Sequence, residues 1–279
     1  MQLNFSTLNL ISFIKEAKQL RASLSPPLVK KMFTTNTHLQ QLRALIFALL
    51  AISCRGLFAA APVMHMWVAE QFCSICNITD DTERQALMVG NQFPDIRYIS
   101  NVSRESTHPS MSKIEDVTTC SSDFFTVGMN LHSWTDRVRE DAIDKEIYKD
   151  IAPYANERGA TMLKFIEDEV LAELYDGTQW RHYFNTILPQ ELTFTDQTTV
   201  SKWHRIIQAN LSIRPSWLLW LHSYYDAKLG LSPAELYLWS YHISEFAQQD
   251  RFKDHVRSLL DHLELELQQA LTPTFTDAR

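Results

Sequence analysis

The stretch ATMLKFIEDEVLAEL, residues 160–174, decides the fold class. Leu163, Ile166, Val170, Leu171 and Leu174 recur three and four residues apart, the spacing of one face of an α-helix. The same period returns on both sides of it. Residues 63–71 place Met64, Trp67 and Val68 together. Asp80-Asp81-Thr82-Glu83 opens a helix with acids in its first turn, and Gly90 reads as its terminator. Residues 128–143, 199–207, 216–228, 232–248 and 251–270 continue the series. Ser232-Pro233-Ala234-Glu235 is a capping box with proline at the first helical position. Residues 272–279 read as a frayed tail. Six glycines in 279 residues, 45% hydrophobic content and 11% aromatic content supply a packed core of helical type. The expectation is an all-α protein, with residues 62–279 as a single domain.

The formal net charge of −7 is unevenly spread. Residues 1–61 hold seven basic side chains and one acid, Glu16, which leaves −13 for residues 62–279. A body so acidic repels a polyanion, so duplex nucleic acid is a poor partner.

The basic excess belongs to a leader-like segment. ALIFALLAISC, residues 44–54, is an apolar run preceded by Arg43 and followed by Gly56-Leu57-Phe58-Ala59-Ala60-Ala61. Basic flank, short apolar run and small residues are the layout of a secretory signal, and the run falls short of the roughly 20 apolar residues of a membrane span. Residues 32–61 are therefore read as a signal peptide cut between Ala59 and Ala61, with export to the periplasm or medium. Met32 would start a signal of ordinary length, which makes residues 1–31 a non-structural extension or a misassigned start. Their Leu8, Ile11, Phe13, Ile14 and Leu20 also fit an amphipathic helix. Cys73, Cys76 and Cys120 would remain after cleavage. Cys73-Ser74-Ile75-Cys76 has no second pair to complete a zinc site, so it reads as a structural disulfide or as buried thiols.

Chemistry concentrates in Gly90-Asn91-Gln92-Phe93-Pro94-Asp95-Ile96-Arg97-Tyr98, then Thr107-His108, then His132-Ser133-Trp134-Thr135-Asp136. On a helix, His132 and Asp136 at i and i+4 share a face with Cβ atoms about 5–6 Å apart, close enough to grip one metal ion. Imidazole and carboxylate are donors that a borderline ion such as zinc accepts. A lone pair of this kind is equally the pattern of a surface hydrogen bond. Asp95 and His108 upstream bring four ligand-type residues from three segments. Pro94 disfavours α-helix at Phe93, and residues 91–107 read as an irregular, rigid ligand loop.

These segments, with His65 near the start of residues 62–279, resemble the zinc-dependent phospholipase C enzymes, the related single-strand-specific zinc nucleases and exported phospholipase-C-like bacterial proteins. The resemblance covers residues 62–139. It implies an all-α fold around two or three zinc ions. It implies that Asp95, His108, His132 and Asp136 surround one zinc, and that Asp136 bridges to a second held also by His65 and the new amino terminus. The family begins its mature chain with Trp, whereas the expected cleavage here leaves Ala first, and Trp67 follows His65. The third zinc of the family takes a His and a His-x-x-x-Asp/Glu pair; His222-Ser223-Tyr224-Tyr225-Asp226 matches best, with His182 or His204 as partner and His242 with Glu245 as a rival pair. His222 equally fits an aromatic core helix with Trp217, Trp220 and Tyr224. The activity implied is phosphodiester hydrolysis on a phospholipid head group, with Asp95 orienting or deprotonating the attacking water and with transient contact to a membrane surface. A nuclease on single strands, with Trp67, Tyr98 or Trp134 as base platform, and a non-enzymatic exported binding protein with a partial metal site are the alternatives. No protein partner is expected. Arg97 reads as a salt-bridge partner of an acid or as a phosphate contact, Glu167-Asp168-Glu169 as a solvated face, and His255 and His262 as solvated.

Overall fold

The computed structural model describes residues 61–111, 113–119, 123–223 and 231–276. The signal-peptide reading, apart from Ala61, and the expectations for residues 1–31, Cys120 and Asp226 lie outside them. Among the described residues the chain forms eleven α-helices and no strand. They are α1 (Pro62–Ile75), α2 (Asp81–Gln92), α3 (Arg104–Thr107), α4 (Ile114–Thr119), α5 (Phe124–Asp141), α6 (Lys145–Ala155), α7 (Gly159–Leu174), α8 (Gln197–Asn210), α9 (Pro215–His222), α10 (Pro233–Phe246) and α11 (Asp250–Thr276). The all-α reading holds.

Local chemistry accounts for the helix starts. The Asp80 carboxylate accepts from the Thr82 and Glu83 amides at 2.9 and 3.0 Å, and Asp196 does the same for Thr198 and Thr199. The capping box at Ser232 forms as its sequence predicts. The reading missed α6, whose Ile147, Ile151 and Ala155 face the core although Pro153 interrupts the pattern. It also stopped α11 short, since the helix continues to Thr276.

Gly90 does not terminate α2. The helix runs on to Gln92, and Gly90 is buried where α2 crosses α5. A Cβ there would stand 2.1 Å from the Phe125 carbonyl oxygen, and one at Gly128 would stand 2.2 Å from that of Leu87. The two glycines let the backbones touch, and no larger residue fits at either position.

The core has two main apolar clusters. One is built by α1, α2, α5 and α8 with Leu259, Leu263 and Leu267 of α11; the other by α6, α7, α9 and α10 with Phe252. Helix α7 feeds both, through Leu171 to the first and Met162, Leu163, Phe165 and Ile166 to the second. Leu174, at its end, is exposed.

A helix covered on nearly every side must find partners for its charges. Glu167, Asp168 and Glu169 are each buried, which overturns the solvated-face reading. Consecutive residues point about 100° apart on a helix, so each carboxylate meets a different neighbour. Glu167 pairs with Arg139 of α5 and lies 3.2 Å from His255 Nε2 of α11. Asp168 accepts the Val63 and Met64 amides of the first turn of α1 at 3.1 and 3.0 Å. Glu169 accepts the Ser216 amide and hydroxyl, both at 2.8 Å, in the first turn of α9. Three helix ends or faces are thereby docked on α7.

Candidate metal centre

Five of the seven residues singled out as metal ligands come together. Helix α1 supplies His65, the 3₁₀ turn Phe93–Tyr98 supplies Asp95, the residue after α3 is His108, and α5 carries His132 and Asp136. The segment expected to be irregular, residues 91–107, instead holds the end of α2, the 3₁₀ turn Phe93–Tyr98 with Pro94 at its start, and α3, with residues 99–103 between the last two.

The end of α2 ties these segments together. Asn91 Nδ2 donates to the His65 carbonyl at 2.6 Å, and Gln92 Nε2 donates to the Pro62 carbonyl at 2.9 Å. His132 Nδ1 lies 2.8 Å from the Asn91 carbonyl oxygen, and His108 Nδ1 lies 3.1 Å from Thr107 Oγ1. A backbone carbonyl only accepts, so His132 carries its proton on Nδ1 and turns the Nε2 lone pair inward. Partners of this kind fix the orientation of metal-ligating histidines.

The donors form two triads that share His132: His65, His132 and Asp136, and Asp95, His108 and His132. Within each triad the donor atoms all lie within 4.8 Å of one another. His65 Nε2 is 3.6 Å from Asp136 Oδ1, His132 Nε2 is 3.8 Å from Asp136 Oδ2, and His108 Nε2 is 3.9 Å from Asp95 Oδ1. The His65 and His132 rings stack with centroids 3.8 Å apart, and His108 meets His132 edge-on at 5.0 Å.

Burial and charge set the protonation. Burial lowers His108 to about 4, helped by the Arg104 and Arg97 charges, and holds His132 well below its ordinary value. Both imidazoles are therefore neutral at pH 7, the form that binds a metal. Burial pushes Asp95 up, and the Asp136 charge adds to it. Burial would raise Asp136 too, but the Lys164 ammonium and the neighbouring imidazoles override it and hold the group well below the usual carboxylate range.

The residues fit a cation. His65 Nδ1 and Nε2, His108 Nε2 and His132 Nε2 are buried and have no hydrogen-bond partner among the described residues. Three buried imidazoles whose unpaired Nε2 atoms face two carboxylates are costly unless something satisfies them. A borderline divalent ion such as zinc does so.

No family model, curated protein or solved structure matches this chain.

The other expected ligands stand apart from the triads. His222 is buried near the end of α9, where desolvation lowers it to about 4, and it belongs to neither donor group. His204 Nε2 lies 2.7 Å from the buried Glu191 carboxylate and its Nδ1 lies 3.1 Å from the Phe184 carbonyl oxygen. His182 is exposed beside the Gln179 carbonyl. His242 lies 3.3 Å from Glu245 at the surface, against the Tyr154 ring. His255 is corrected from solvated to half-buried beside Glu167, because α11 packs on α7; His262 is exposed as expected. Arg97 Nη2 is 3.6 Å from Asp95 and donates to the Tyr98 hydroxyl at 2.7 Å, so it does bridge to an acid of the cluster. Cys73 and Cys76 are free buried thiols that burial pushes to about 12, not a disulfide.

Sequence reasoning missed Lys164. Its Nζ lies 2.5 Å from Asp136 Oδ1, reaching the cluster from α7. The only local signal was a lysine set between Leu163 and Phe165 in an otherwise apolar turn.

Proposed function

We propose that this chain is an exported, metal-dependent phosphodiester hydrolase: a phospholipase C that releases a phosphorylated head group from a phospholipid. The observation that carries the reading is the convergence of His65, His108 and His132, with hydrogen-bond-free nitrogens, on Asp95 and Asp136. The phospholipase C-like motifs that supply these residues give the reaction class.

His132, with its single lone pair on Nε2, would hold one ion, either with His65 and Asp136 or with Asp95 and His108, and the donors left in the other triad would help to hold a second. Zinc bound there supplies a Lewis acid that neutralises phosphoryl charge and makes water acidic near neutral pH. The protein's own groups do the rest. Asn91 and Thr107 keep the imidazoles aimed before substrate arrives, so no reorganisation is needed during the reaction. Asp95, whose carboxyl is held up by burial, orients the attacking water and takes its proton. Arg97, beside Asp95 and partly exposed, offers its planar guanidinium to a phosphoryl oxygen. No described helix is long and apolar enough to cross a membrane, which fits an enzyme that meets lipid from the water side.

A second reading is a nuclease on single-stranded nucleic acid. One observation favours it: Tyr98 is 46% exposed next to the cluster, with the Arg97 guanidinium 4.2 Å from its ring centroid, a surface on which a base could stack. Metal content by elemental mass spectrometry, followed by turnover of phosphatidylcholine vesicles and of an oligonucleotide, tests both. Bound zinc with phosphocholine release supports the phospholipase. Cleavage of the oligonucleotide alone supports the nuclease, and a protein that takes up no zinc sinks both.

A further inference from the structure

Asp136 is contested. Its Oδ1 faces the Lys164 ammonium at 2.5 Å and His65 Nε2 at 3.6 Å, while Oδ2 faces His132 Nε2 at 3.8 Å. Lys164 is largely buried at 13% side-chain exposure and Asp136 at 8%, so water does little to screen the pair. An ammonium has three donors and no lone pair, so charged Lys164 cannot ligate a metal. It uses up a lone pair on the carboxylate and places a positive charge beside the point where the His65–His132–Asp136 donors converge. The same charge acts on Asp95 and on His132, members of the other triad.

We infer that Lys164 is a resident counter-cation of this centre that competes with the metal for Asp136. Without metal, the ammonium keeps a buried carboxylate from standing unpaired, which fixes the cluster in its ligand-ready arrangement. A divalent ion at His65, His132 and Asp136 repels that ammonium at short range in a poorly screened site, so loading displaces Nζ from Oδ1. The released ammonium then stands as an additional fixed cation for an anionic substrate. The inference rests on the metal reading above.

The test compares zinc affinity, by competition with a chromophoric chelator, in the full chain and its Lys164→Met, Lys164→Gln and Lys164→Arg variants. Removing the charge should tighten zinc binding about tenfold or more, and Lys164→Arg should stay within about threefold of the parent. The metal-free Lys164→Met protein should also melt at a lower temperature than the parent, with zinc closing the gap. Unchanged or weaker zinc binding by Lys164→Met and Lys164→Gln overturns the inference and leaves the metal centre standing. No zinc uptake by the parent or any variant overturns both. If Lys164→Met does not fold, Lys164→Gln carries the comparison, because its amide still donates to Asp136 without the charge. A crystal structure of the zinc-loaded parent gives an independent reading: Nζ beyond hydrogen-bond reach of Asp136 supports displacement, and Nζ still bonded to Oδ1 overturns it.

Discussion

Gly128 and Leu87 touch through their backbones. A Cβ on Gly128 would lie 2.2 Å from the Leu87 carbonyl oxygen, and Gly90, one turn further along α2, makes the reciprocal contact with Phe125. This crossing sets the distance between α2 and α5, and through it the 2.8 Å contact of the Asn91 carbonyl with His132. Gly128→Ala should destabilise the fold by about 1–3 kcal/mol or more, since backbone has no rotamer with which to yield. Thermal denaturation followed by circular dichroism measures the loss. A Gly128→Ala protein that melts with the parent would show that the helices can part without cost.

Zinc should stabilise the protein by mass action. At 100 times its dissociation constant a ligand that binds only the native state adds about 2.7 kcal/mol. Melting with zinc and with EDTA should differ for the parent, and His132→Ala, which removes the donor common to both triads, should erase the difference and, under the proposed function, leave no phosphodiester hydrolysis. An equal zinc-dependent shift in His132→Ala would place the ion elsewhere.

Asp168 gives stability a pH dependence. Burial raises its carboxyl to about 7, although the Val63 and Met64 amides pull the other way. A folded-state value above the ordinary 3.8 means that the native state holds the proton more tightly. Its contribution is therefore fully present below about pH 4 and is lost as pH rises through about 7. Relative to Asp168→Asn, the parent should lose up to about 1.4 kcal/mol per pH unit across that window. Urea titrations at four or five pH values test the slope; parallel stability curves for the two proteins would refute it.

The Arg139–Glu167 pair is fully buried, with His255 on the second Glu167 oxygen. Arg139→Met strands a carboxylate in the core and should cost about 3–5 kcal/mol. Adding Glu167→Leu should recover much of that loss, because the interior then holds no uncompensated charge. Denaturant midpoints for the single and double variants decide it, and a double variant no more stable than the single would point to a packing role for Arg139 instead.

Cys73 and Cys76, with thiols pushed to about 12, should react slowly with a thiol reagent at pH 8 in the native protein and quickly in urea. Rapid native labelling would contradict their burial.

The amino-acid pattern alone determined what depends on near neighbours. Period 3.6 located most of the helices, the acids at Asp80 and the capping box at Ser232 mark two of their starts, and His132 with Asp136 share a helix face because four residues make about one turn. Only the tertiary structure decided matters that join distant residues: which helix each charge of Glu167-Asp168-Glu169 meets, that Gly90 is a crossing point and not a stop, and that Lys164 reaches Asp136 from 28 residues away. A run of acids reads alike whether it faces water or three helix neighbours. Spacing along the chain encodes the direction in which a side chain points, whereas its partner is set by packing, and that is where the unpaired imidazole nitrogens and the Lys164–Asp136 pair become visible.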